Sequence, residues 1–262
     1  MNKDIISRLG ELNISNEGYD MKIIEYNAYN DIWIEFQDRY KTKIHTTYYI
    51  FKNGSIKNPY HKTSYGVGYL GVGKYKCKKN GKITKCYKTW SHMLERCYDP
   101  YRLNEFPTYI DCYVCEEWHN FQNFAKWYEE NYYEVKEERM NLDKDILIKG
   151  NKIYSPETCI FVPQRINILF TKSDKTRGEY PIGIHKYSNN KIRVLCSIYD
   201  GEKGKKVKIH LGCFSLNEIL QAFTCYKNFK ENYIKQVADE YKDLIPIKLY
   251  NALYNYQVEI ND

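Results

Sequence analysis

Along this chain the spacing of apolar residues switches between a period of two and a period of three to four, and each switch predicts an element. After a polar tail over residues 1–14, Met21–Tyr26, Ile32–Phe36 and Thr46–Phe51 read as short strands. In the second of these Ile32, Ile34 and Phe36 alternate with Trp33 and Glu35, while Asn53-Gly54 and Asn58-Pro59 supply breaks. Strands at this spacing predict a small SH3-like β-barrel over 15–62. The glycine-rich run Tyr65–Gly73 lacks the helix and the Lys-Ser/Thr pair of a phosphate loop, so it reads as a hairpin or linker.

The period then lengthens. Tyr87–Arg96 reads as a helix, and Trp118, Phe121, Phe124, Ala125 and Tyr128 fall on one face of a second helix ending near Tyr132, most simply as core. Beyond Met140 come an extended segment Leu142–Ile148, a turn at Lys149-Gly150-Asn151, a second extended segment around Cys159–Val162 and a short helix over Pro163–Phe170. A linker, Thr171–Glu179, precedes three strands and a helix. Ser215-Leu216-Asn217-Glu218 is a capping box, so that helix starts at Leu216 and runs towards Tyr241, packing through Ile219, Phe223, Tyr226 and Ile234. Pro246 marks its end, and 244–262 reads as a C-terminal tail. The fold class is α+β.

Composition changes this picture in a few places. The chain of 262 residues is long enough for two or three small domains. Its net charge of +7 is concentrated: between Lys172 and Lys208 ten Lys/Arg face four Asp/Glu. Such a segment suits a polyanion, because each cation set on a phosphate releases condensed counterions; the alternative is a solvated charged face. The absence of a long apolar run and the charged start Met1–Leu9 predict a soluble, cytoplasmic protein with no membrane partner. Nine scattered cysteines read as reduced thiols or metal ligands rather than disulfides. The 28 tyrosines suit half-buried sheets and nucleic-acid surfaces equally.

Four blocks occur in order: Tyr87-Lys-Thr-Trp-Ser-His-Met-Leu-Glu-Arg-Cys97, Val114-Cys-Glu-Glu-Trp118, Leu142-Asp-Lys-Asp145 and Tyr154-Ser-Pro-Glu-Thr-Cys159. Together they resemble phage- or prophage-encoded HNH homing endonucleases, over about residues 65–171. Gly183–Tyr226, with His210-Leu-Gly-Cys-Phe214 closing its third strand, separately resembles an AP2 DNA-binding domain. The resemblance implies a degenerate HNH-like ββα core with supporting helices over 63–171 and an AP2-like three-stranded sheet packed on a helix over 172–243. It also implies a nuclease ancestry in a bacteriophage or its bacterial host.

An HNH nuclease needs a divalent metal on hard oxygen ligands and a neutral His to deprotonate water. By resemblance Asp143 stands at the ligand position, while Lys144 stands where that His belongs, and a protonated Lys takes no proton. Thr158 replaces an Asn, and Asn167 is retained, so Asp143 and Asn167 are the Mg²⁺ candidates, with Asp145 as a further carboxylate. His92 or His119 would supply a displaced base, although a lone His is more often structural. Cys112-Tyr-Val-Cys115 has the spacing for two thiolates on one Zn²⁺, with Cys97 and Cys159 to complete four; buried thiols are the competing reading.

In the AP2-like segment, period-two alternation sorts faces. Ile192, Val194, Cys196 and Ile198 point towards the helix, as do Val207, Ile209 and Leu211. Lys191, Arg193, Lys206, Lys208 and His210 then point outward and, with Lys186, are the expected DNA-binding residues. Arg suits guanine O6 and N7, and Lys suits phosphate. The family's Trp in the second strand is missing here, Leu195 or Val194 standing near that place. The expectation is a sequence-specific double-stranded DNA-binding protein with impaired metal-dependent nicking. The rival is a catalytically inactive phage regulator or anti-defence factor acting on a host protein.

Overall fold

The computed structural model describes residues 8–171, 179–200 and 205–262. Most of the linker read over Thr171–Glu179 lies outside them, as does Lys203. The protein is α+β and divides into two compact units, 1–130 and 131–262. Among the described residues no helix is long and apolar enough to cross a membrane.

The first unit opens with an antiparallel meander of β1 (Leu12–Ile14), β2 (Asp20–Ala28), β3 (Asp31–Phe36) and β4 (Lys43–Thr46), in that spatial order. The expected barrel is not formed: β1 and β4 are the two edges, and the described residues include no closed barrel. Its inner face is covered instead by Phe51 and Ile56, which join Met21, Ile23, Ile32, Ile34 and Phe36 in one core. Phe51 belongs to α1 (Tyr48–Lys52), where a strand was expected over Thr46–Phe51. The Thr47 hydroxyl accepts a bond from the Ile50 amide and caps that turn, so tertiary cover overrides the β-propensity of Thr-Tyr-Tyr-Ile-Phe.

A hairpin of β5 (Lys78–Lys79) and β6 (Lys82–Ile83) then leads into α2 (Lys85–Tyr98), capped by Thr84. After α3 (Pro100–Glu105) and the short β7 (Tyr113–Val114) comes α4 (Phe121–Asn131). Of the stripe read from the sequence, Trp118, Phe121, Phe124 and Ala125 are buried core and Tyr128 is half-buried; the buried Trp90 of α2 donates its indole N–H to the Trp118 carbonyl at 2.7 Å.

In the second unit, β8 (Met140–Asp143) and β10 (Ile160–Pro163) pair antiparallel, with β9 (Ile153–Tyr154) between them in sequence and α5 (Gln164–Asn167) directly after. β11 (Ile184–Ser188), β12 (Lys191–Asp200) and β13 (Lys205–Ser215) form a three-stranded antiparallel sheet in sequence order. It packs on the 22-residue helix α6 (Ile219–Glu240). The capping box is present, but its first turn, Leu216–Glu218, is a 3₁₀ turn. Residues 244–262, read as a tail, contain α7 (Ile247–Tyr254), whose Leu249 and Leu253 are fully buried. They share one core with Val162 and Ile166 of the β8–β10–α5 segment and with Ile234 and Val237 of α6.

Candidate nucleic-acid interface

The register of the three-stranded sheet decides which side chains share a face. Ile192, Val194 and Cys196 are buried against α6, whereas Lys191, Arg193 and Ser197 are exposed, as alternation requires. On β13 the phase changes midway. Val194 pairs with Gly212 but Leu195 pairs with His210, which leaves Leu211 as an extra residue in a β-bulge. Lys206, Lys208 and His210 are therefore outward before the bulge, and Cys213 and Ser215 are outward after it. Arg193 is flanked by His185 of β11 and Cys213 of β13.

The outer face thus carries Lys191, Arg193, Lys206, Lys208 and His210 together, and none of them forms an ion pair within the described residues. The Arg193 guanidinium lies 5.9 Å from the Tyr187 ring centre, and His210 Nε2 is 3.4 Å from the Cys213 sulfur. Lys186 departs from expectation: it pairs with Ile192 and so stands in the opposite phase, in the middle of the edge strand β11. Sequence alternation missed His185 and Cys213. His185 is half-buried, and burial, followed by Lys208 and Arg193, holds its imidazole below the ordinary value, so it is a neutral donor–acceptor at neutral pH.

The Asp143–Asn167 segment has a different character. Asp143 closes β8, and its Oδ1 accepts the amides of Asp145 at 2.8 Å and Ile146 at 2.7 Å. These bonds end the strand at Asp143 and turn the chain, where an extended run to Ile148 was expected. Oδ2 is the oxygen left for another partner. Burial pushes this carboxyl up, and the two amides oppose that. Lys144 is only 6% exposed; its ammonium donates to Asp145 Oδ1 and to the Asn151 carbonyl, both at 2.7 Å. Asn151 returns the tie, donating Nδ2 to the Lys144 carbonyl at 2.8 Å and to the Ile153 carbonyl at 2.7 Å. Lys144 is thus a donor clasping the 143–153 turn.

Thr158 donates its hydroxyl to the Ile153 carbonyl at 2.8 Å and lies 3.2 Å from Ser155 Oγ, a role internal to its loop. Asp143 pairs with Ile160 at one end of the β8–β10 ladder, while α5, which carries Asn167, begins beyond Pro163 at the other. No hydrogen bond joins Asp143 to Asn167. With Oδ1 of Asp143 holding two amides and Asp145 holding an ammonium, these side chains do not form a ready oxygen cage for Mg²⁺.

Cys97 and Cys112 are buried and Cys115 half-buried in the first unit, and Cys159 is buried in the second. Among the described residues no group of three or more His, Cys, Asp or Glu is arranged to hold a metal ion. His119 Nε2 donates to the Val114 carbonyl at 3.1 Å and lies 3.4 Å from the Tyr98 hydroxyl, and burial holds its imidazole below the ordinary value. Compared with protein-family models, curated proteins and solved structures, the chain matches none.

Proposed function

We propose that the protein binds duplex DNA through the outer face of the β11–β13 sheet, as an AP2-like module joined to a degenerate HNH-like ββα segment of phage homing-endonuclease type. The observation that carries this reading is that Lys191, Arg193, Lys206 and Lys208, joined by His210 and without an ion pair among the described residues, share one face of a sheet whose other face is packed on α6. A two- or three-stranded sheet fits the major groove. There Arg193, flanked by His185 and Cys213, is the base-reading side chain, and the lysines meet phosphates.

The test is fluorescence anisotropy with a selected duplex and a random one across a salt series. Arg193→Ala costs about 1–3 kcal/mol on the selected duplex and little on the random one. Lys206→Ala and Lys208→Ala weaken both duplexes alike and each reduce the salt slope by about one. Equal small losses for all three variants, or no binding by the wild type, sink the reading.

Metal-dependent nicking is the second reading, favoured by Asp143 Oδ2, which has no hydrogen-bond donor among the described residues, at the end of a β-β-α segment. Conversion of supercoiled to nicked plasmid with Mg²⁺ or Mn²⁺ that disappears in Asp143→Ala supports it. Cleavage that survives that change places the chemistry elsewhere.

A further inference from the structure

β11 covers only part of β12. Its pairing begins at Ile184 opposite Val194, so β12 continues past the start of its neighbour with one edge unpaired. Leu195 N–H reaches back to the Gly183 carbonyl at 2.8 Å, and Tyr199 N–H donates to the Tyr233 hydroxyl at 2.9 Å. Ser197, midway between them and in the same phase, turns its amide the same way, towards the edge that β11 leaves open. The notch so left is a cavity of about 250 Å³, below the ~300–1,000 Å³ typical of pockets for drug-sized ligands.

Its lining is cationic. Lys206, Lys208 and Lys230 border it beside Ser197 and the neutral His185, and its only described carboxylate is Asp262, which is held by Lys149 at 2.7 Å. Lys230 is half-buried on α6 and has no carboxylate partner among the described residues. Burial holds its amine below the ordinary value, Cys196 opposing this and the Lys206 charge adding to it. A desolvated cation facing other cations is costly in the folded chain, and an anion beside it removes much of that cost. The apolar side chains in its wall, including Ile182, Tyr226 and Tyr256, lower the local dielectric and so strengthen the attraction.

We propose that this cavity is an anion site that takes a phosphate group, with Lys230 at its base, Lys206 and Lys208 at its mouth and the Ser197 amide as a neutral donor. The group comes either from free phosphate or from a DNA backbone. The site is separate from base reading: Arg193 does not line the cavity.

The experiment follows amide and lysine NMR signals and thermal midpoint of the full chain. Inorganic phosphate is titrated at constant ionic strength against chloride, and a short duplex is titrated separately. The expected result is a saturable phosphate-specific shift at Ser197 and Lys230 and a raised midpoint. Lys230→Met weakens the response tenfold or more, while its own midpoint in chloride equals or exceeds that of the wild type. Lys206→Gln, on the rim, weakens it less and guards against an effect of core repacking at position 230. Arg193→Ala leaves the phosphate response intact even where it abolishes duplex discrimination, so the two readings fail separately. A response to phosphate alone identifies the free ion as the source, and one seen only with duplex, and lost in Lys230→Met, identifies the backbone. No response to either, or one that Lys230→Met leaves unchanged, overturns the site.

Discussion

A buried ammonium is tolerated only where oxygens surround it, and Lys144 meets that condition with the Asp145 carboxylate and the Asn151 carbonyl. Lys144→Met keeps the stem's volume but leaves that carbonyl without its donor, so it destabilises the second unit by about 1–3 kcal/mol in chemical denaturation. An unchanged midpoint refutes the clasp. His119 adds a pH dependence whose sign follows from its lowered value. The unfolded chain takes up the proton first as pH falls, so stability is full above the ordinary imidazole value of about 6.5 and is lost as pH drops through the lower folded value. Melting midpoints between pH 7.5 and 5 therefore fall less steeply in His119→Gln; equal slopes exclude His119 as a contributor. The resemblance put Lys144 at the position where an HNH nuclease would carry its base, a reading of identity alone. It was silent on the burial of that side chain, which depends on Asn151 seven residues on and on the turn that Asp143 caps.

At the scale of elements, alternation was a sound guide along β12, where Arg193 and Cys196 fall on the faces their parity assigns. It held on β13 only as far as Leu211. The bulge there adds one residue, and Cys213, which unbroken parity would bury, emerges beside Arg193. Gly212 carried the signal, since a glycine inside a strand pattern often marks a bulge. A thiol-reactive probe tests the phase directly: Cys213 reacts first, while Cys159 and Cys196, both buried, react only on unfolding. If DNA docks on this face, a saturating duplex slows Cys213 labelling several-fold. A slow Cys213 in the free protein refutes the phase, and unaltered labelling in the DNA complex moves the interface off the sheet. The barrel expectation failed for a related reason: β2 and β3 were legible, but β1, β4 and the helix at Tyr48–Lys52 were not, closure depends on edge pairing, and Phe51 and Ile56 had already covered the inner face.

At the scale of the whole molecule, the last residues complete the second unit rather than trail from it. Leu249 and Leu253, four apart on α7, are fully buried in the core that holds Val162, Ile166, Ile234 and Val237. Pro246 marked a helix end in the sequence, but it also opens a helix, and the pattern Ile245, Leu249, Leu253 was the overlooked sign of one. The same core joins the β8–β10–α5 segment to α6, the helix that backs the cationic sheet, so damage at α7 reaches the proposed DNA face without touching it. Leu249→Ala costs about 2–5 kcal/mol, the range for emptying a buried leucine site. Leu253→Ala, fully buried in the same core, costs a similar amount. In native-state hydrogen exchange both variants lower the protection of amides in β12 and α6 and leave those in β2 and β3 of the first unit at wild-type values. Uniform loss across both units would show that the two unfold as one body, and no loss in α6 would show that α7 contributes nothing to the core it enters.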